Sequence, residues 1–141
     1  MKRKGSRVEY AQERNREIFI LFRKIHSEGG LSRTEVCRRV ANSPASRFWV
    51  SEERATYVIS AMNSGRPLPR MHENREAMFG EIFRRFKIEQ ALNPRRKISE
   101  IVGEIIHQRA PRFYLTTGSV GIFYHLHCKL QRRERKVDFT N

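Results

Sequence analysis

The stretch ASRFWVS at residues 45–51 returns as APRFYLT at residues 110–116. Position by position the two read Ala, any residue, Arg, Phe, an aromatic ring, a branched aliphatic and a small hydroxyl. A phrase written twice in one chain favours a fold made of two similar halves. The likeness extends further. Thr34 to Ser51 aligns with Ser99 to Thr116 at an offset of 65, with Glu35/Glu100, Ala45/Ala110, Arg47/Arg112 and Phe48/Phe113 identical. Upstream, LFRKI (21–25) aligns with IFRRF (82–86) at an offset of 61. The change in offset predicts four extra residues around ALNPRRK, between Glu89 and Ser99, where a loop tolerates insertion.

Each half reads as three helices, so the class expected is all-α, internally duplicated, with short extended RF[WY] connectors. The first helix runs from about Glu9 to Ser27 with Ile18, Leu21, Phe22 and Ile25 on one face. Its counterpart runs from about Asn74 to Gln90 with Phe79, Ile82, Phe83 and Phe86. The second helix starts at a cap, Ser32 or Thr34, and turns Val36, Val40 and Ala41 inward. Its counterpart covers Ile98 to Gln108 with Ile101, Val102, Ile105 and Ile106 inward. The third helix follows a hydroxyl cap, Ser51 or Thr116. The resulting layout is a basic N-terminal arm (1–8), a first unit (9–63), a linker (64–73), a second unit (74–131) and a basic C-terminal tail (132–141). Half of this chain alone would be marginal as an independent fold.

In RFWVS and RFYLT, three consecutive bulky apolar residues are too few for a helix and too apolar for a free loop. Phe48 and Phe113 are expected to plug a core, and Val50 and Leu115 stand where a hydrophobic staple precedes a cap. Arg47 and Arg112 have two readings. Each can stack on a ring and bond loop carbonyls, or reach for a phosphate.

Charge narrows the function. The chain carries 29 Lys and Arg against 15 Asp and Glu, a net +14, and 22 of the 29 are Arg. Arg offers a planar fork suited to phosphates and guanine edges, so this bias favours a polyanionic partner. No apolar run approaches the length of a membrane span, and the N-terminal stretch MKRKGSRVEYAQERNRE lacks the apolar core of a secretory signal. A cytoplasmic location is expected, with Cys37 and Cys128 as separate reduced thiols inside helices.

The order of elements, the basic charge and the capped third helix resemble tandem helix-turn-helix DNA-binding proteins over roughly residues 18–63 and 79–130. The phrase A-x-R-F-[WY]-[VL]-[ST] also resembles one found in small uncharacterised bacterial proteins. The connector from Asn42 to Ser51 is longer than the usual tight turn of a helix-turn-helix. The resemblance implies base-facing residues on the first turns of helix three: Arg54, Thr56, Tyr57 and Ser60 in one half, Thr117, Gly118, Ser119 and Gly121 in the other. Glu52 and Glu53 oppose that role in the first half, because they repel phosphate. Phosphate contacts are expected from Lys2, Arg3, Lys4 and Arg7 in the arm, Arg38 and Arg39 on helix two, Arg95, Arg96 and Lys97 in the loop, and Arg132, Arg133, Arg135 and Lys136 at the end.

Other chemistry leaves little trace. There is no GxxxxGK[ST] loop and no paired cysteine ligands. His125 and His127, beside Cys128, stand two apart on one helix and so point to nearly opposite sides, which speaks against a shared metal, and nothing resembles a nucleophile–base pair. The expectation is therefore a non-enzymatic nucleic-acid-binding protein with no cofactor, no metal and no small-molecule substrate. Double-stranded DNA is favoured, in a transcriptional or mobile-element accessory role. The alternatives are structured RNA or the ribosome, and an adaptor docking an acidic protein, with one unit left for a protein partner.

Overall fold

The computed structural model describes the backbone of residues 4–140 and the side chains of residues 10–136. It is all-α: α1 (Lys4–Ser27), α2 (Arg33–Ala41), α3 (Glu52–Ser64), α4 (Glu73–Leu92), α5 (Ile98–Ile105) and α6 (Thr117–Thr140). The helix starts lie where hydroxyl caps were expected. Ser32 Oγ accepts from Glu35 N at 3.2 Å, Ser51 Oγ from Arg54 N at 3.1 Å and Thr116 Oγ1 from Ser119 N at 3.1 Å. Each bond satisfies one of the amides that a helix leaves without a partner at its start. The end of α3 is set by Gly65 in the left-handed region (φ 75°), with Arg66 N donating back to Ala61 O at 2.9 Å.

Three sequence expectations change. α1 begins at Lys4, so Lys4 and Arg7 belong to a helix and not to an arm ahead of it; Lys2 and Arg3 lie outside the described residues. α6 runs through to Thr140, so the segment set apart as a basic tail continues the third helix, as the run TGSVGIFYHLHCKLQRRERK already reads up to Lys136. The loop between α4 and α5 (93–97) is no longer than that between α1 and α2 (28–32), so it holds no insertion. The ends of α1 and α4, and the starts of α2 and α5 and of α3 and α6, all stand 65 residues apart. The offset of 61 pairs two apolar helix faces slipped by about one turn. Such a face looks alike every three or four residues, so a short match does not fix its register.

The chain divides into two compact units. One contains α1, α2 and α6, which pack against one another. The other spans Pro44–Tyr114 and contains α3, α4 and α5, also mutually packed. The division differs from the consecutive units 9–63 and 74–131 read from the sequence: each third helix packs with the first and second helices of the other half.

In the α1–α2–α6 unit, Ile18, Phe22, Val36, Cys37, Val40, Ala41 and Val120 are buried. Phe22 stacks on Tyr124 with ring centroids 3.8 Å apart. Gly121 faces inward, where an added Cβ would meet Cys37 Sγ at 3.7 Å. The other unit holds most of the buried side chains among the described residues, with Phe48, Ile59, Phe79, Ile82, Phe86, Ile101, Ile105 and Ile106 fully enclosed.

The repeated phrase builds the centre of the Pro44–Tyr114 unit. Ala45 and Ala110, its first letter in each copy, pair as an isolated antiparallel bridge: Ala45 N donates to Ala110 O at 3.0 Å and Ala110 N to Ala45 O at 2.9 Å. Both alanines are buried, and a methyl is all that such a crossing of two backbones must accommodate. Phe48 N donates to Ile106 O at 2.9 Å, and the Phe48 and Tyr114 rings stack at 6.2 Å. Val50 N donates to Phe48 O at 2.9 Å, closing a three-residue turn around Trp49. At the matching position Tyr114 has φ 58°, a left-handed conformation uncommon for a bulky residue, held by its burial.

Candidate nucleic-acid interface

The two arginines of the repeated phrase turn inward upon the connectors. Arg47 Nε donates to Phe48 O at 3.0 Å and its Nη2 to Val50 O at 2.8 Å, with the guanidinium 5.0 Å from the Trp49 ring centroid. His107 donates Nδ1–H to Gly103 O at 2.8 Å, and its Nε2 lies 3.4 Å from Arg47 Nη1. Arg112 lies 4.7 Å from the Tyr114 ring centroid. Burial and the nearby Glu81 push the Tyr114 hydroxyl up, and the Arg112 and Arg85 charges oppose this. Of the two roles open to these arginines, ring stacking is seen in both and carbonyl bonding in Arg47.

Several other cations of the Pro44–Tyr114 unit are similarly engaged. Arg84 and Arg85 both bind Glu81, at 2.8 Å each, and Arg85 also reaches Gln108 Oε1 and Arg109 O at 3.1 Å. The Arg84 hydrogen bond draws the Glu81 carboxyl down to about 2 against its burial, with further help from Arg85 and both charges. Arg96 forks onto Glu104 at 2.5 and 3.1 Å, and that hydrogen bond holds the Glu104 carboxyl below its ordinary value. Arg95 and Lys97 remain exposed beside it. Arg54 is exposed at the start of α3, 5.8 Å from the Tyr57 ring centroid. The start of α3 is acidic. Glu52, Glu100 and Glu104 line one open depression together with Arg96, Ser99, Gly103 and His107. A Cβ on Gly103 would stand 3.1 Å from Glu52 Oε2, so the glycine leaves room for that carboxylate.

The α1–α2–α6 unit presents a different surface. Some of its arginines cover rings: Arg14 sits 3.7 Å from the Phe123 centroid, and Arg33 lies 5.4 Å from that of Tyr124. Arg38 pairs with Glu35 one turn away, and Arg39 is exposed beside it. On α6 the buried side carries Val120 and, half-buried, Tyr124, His127 and Gln131. Burial holds the His127 imidazole below its ordinary value; Glu134 opposes this and Arg16 adds to it. The opposite side is exposed and reads Gly118, Ile122, His125, Leu126, Lys129, Arg132, Arg133 and Lys136. These positions fall within one stripe at 3.6 residues per turn, and no acidic residue interrupts it. Glu134 projects from the other side of the helix. Arg135 is exposed at the edge of the stripe.

The first turn of α6 departs from expectation in detail. Thr117 and Ser119 are half-buried, and Ser119 Oγ accepts from Thr116 Oγ1 at 3.0 Å as part of the cap. Gly118 is exposed, but Gly121 packs towards α2. Sequence reasoning passed over Ile122, Leu126 and Lys129. Their spacing of four and three, in phase with Gly118 and Arg133 and out of phase with Val120, was the signal that marks them as one face.

Among the described residues no group of three His, Cys, Asp or Glu side chains could hold a metal ion, and no helix is long and apolar enough to cross a membrane. Comparison with family models, with curated proteins and with solved structures returns no match.

Proposed function

We propose that the protein binds double-stranded DNA, without a catalytic step, as an accessory to transcription or to a mobile element, and that the α1–α2–α6 unit makes the contact. The observation that carries this reading is the division of charge. The α1–α2–α6 unit has 16 basic against 7 acidic residues, the Pro44–Tyr114 unit 13 against 8. Cations on the second unit are in several cases committed to Glu81, Glu104 or backbone carbonyls. The exposed side of α6 carries Lys129, Arg132 and Arg133, and no carboxylate stands in that stripe.

The constant spacing of helix boundaries supports a duplicated three-helix unit whose third helices have changed places. In that reading α6 stands to α2 as the recognition helix stands to the first helix of a helix-turn-helix, with the two joined through space. The α3 helix occupies the corresponding place in the other unit, where Glu52 and Glu53 at its start repel phosphate. That unit is then left for a protein partner.

The test is a titration of the full chain against random-sequence duplex DNA over a range of salt. Affinity should fall linearly in log–log form, and Arg132→Ala with Arg133→Ala should reduce the slope by about 2, one unit for each phosphate no longer neutralised. Absence of binding at low salt sinks the proposal. Tighter binding to duplex RNA of the same sequence redirects it to structured RNA.

A further inference from the structure

We infer that α6 reads thymine methyl groups in the major groove through Ile122 and Leu126. The inference rests on the DNA-binding reading above and names what that surface recognises. Ile122 is 61% exposed and Leu126 47% exposed, one turn apart on the same side of α6. Other large apolar side chains are as exposed, Ile20 and Leu92 among them, so what distinguishes Ile122 and Leu126 is their place together on one stripe. Lys129, Arg132, Arg133 and Lys136 continue that stripe towards the C-terminus.

The stripe is therefore sorted along its length. Its N-terminal half carries no Lys, Arg, Asp or Glu, and its C-terminal half is cationic. From Gly118 to Lys136 it runs about 27 Å at the rise of an α-helix. The major groove is about 12 Å wide and admits a helix, but a straight helix leaves a curved groove within a few turns and then passes over the backbone. Chemistry sorted in this order matches that path. The charged end meets phosphates, and the uncharged end lies over base edges. Gly118 opens the way at the first turn, because an added Cβ there would touch nothing closer than Thr116 Oγ1 at 4.0 Å. The only apolar group a base pair offers in the major groove is the C5 methyl of thymine. A membrane surface fits less well, because an interfacial helix needs a broad apolar face, and here that face is two side chains wide.

The experiment compares A·T-rich duplexes with the same duplexes carrying uracil for thymine, which removes the methyl and keeps the pairing. The full chain should bind the thymine duplex about five- to ten-fold more tightly, with the same salt slope. Ile122→Ser with Leu126→Ser, checked for an unchanged helical spectrum, should bind both duplexes alike. Equal affinity of the unaltered chain for both, with salt-dependent binding retained, overturns this inference and leaves the proposed function standing. Loss of all duplex binding at low salt overturns both. A double variant that still prefers thymine also overturns the assignment to these two side chains.

Discussion

Replacing Arg47 with Ala separates an architectural arginine from a phosphate-binding one. Arg47 gives two hydrogen bonds to carbonyls, at 3.0 Å to Phe48 and 2.8 Å to Val50, and stacks 5.0 Å from the Trp49 ring centroid. A hydrogen bond from a charged donor contributes about 1.5–3 kcal/mol. The ring contact adds roughly 0.5–1 kcal/mol at a partly exposed site. The full sum is not forfeited, because Phe48 O keeps Val50 N as a donor and water reaches part of the guanidinium's place. A destabilisation of about 2–4 kcal/mol follows, which for a chain of this size lowers Tm by roughly 6–12 °C. Thermal unfolding followed by circular dichroism measures this, and duplex binding below the transition measures the other role. Arg47→Lys should recover only part of the stability, since one ammonium cannot serve both carbonyls as a planar fork does. An Arg47→Ala protein that melts within about 2 °C of the unaltered chain, yet binds DNA several-fold more weakly, would refute the reasoning.

Gly80 lies inside α4, where a Cβ would meet nothing within 4 Å, so Gly80→Ala should stabilise the fold by about 0.5–1 kcal/mol in a denaturant titration. Glu81 has its folded pKa depressed, so the stability it contributes is present above its ordinary value of 4.5 and lost as pH falls towards about 2. Glu81→Gln should therefore flatten the acid limb of a plot of Tm against pH in that window and leave the slope near neutral pH unchanged.

What the sequence revealed was local. Ser32, Ser51 and Thr116 mark helix starts because a cap is decided by residues within one turn of it. The all-α class followed from apolar faces such as Ile18 with Phe22, which any packing partner would require. What stayed hidden was the partner. Whether α3 packs on α2 or on α5 depends on the crossing at Ala45 and Ala110, and an alanine in a sequence says nothing of which backbone lies across from it. The same limit misplaced the four-residue insertion, since LFRKI and IFRRF match through a helical period and not through position. On the candidate surface, Arg47 and Arg112 drew attention by repetition; Arg47 bonds connector carbonyls, and both lie over a ring of their own connector. Ile122 and Leu126 were passed over because exposure, which makes them unusual, is a property of the folded helix.

The two units also differ in the loops that their folding must close. Residues 44–114 are continuous, so that unit can form as soon as its own stretch has left the ribosome. The other unit needs Phe22 to meet Tyr124, a closure across most of the chain. Once Ala45 is paired with Ala110, the two ends of the middle segment stand side by side, so most of the loop between α2 and α6 is already closed. A long entropic search becomes a short one. The α1–α2–α6 unit thus gains from a middle segment that holds its own ends together.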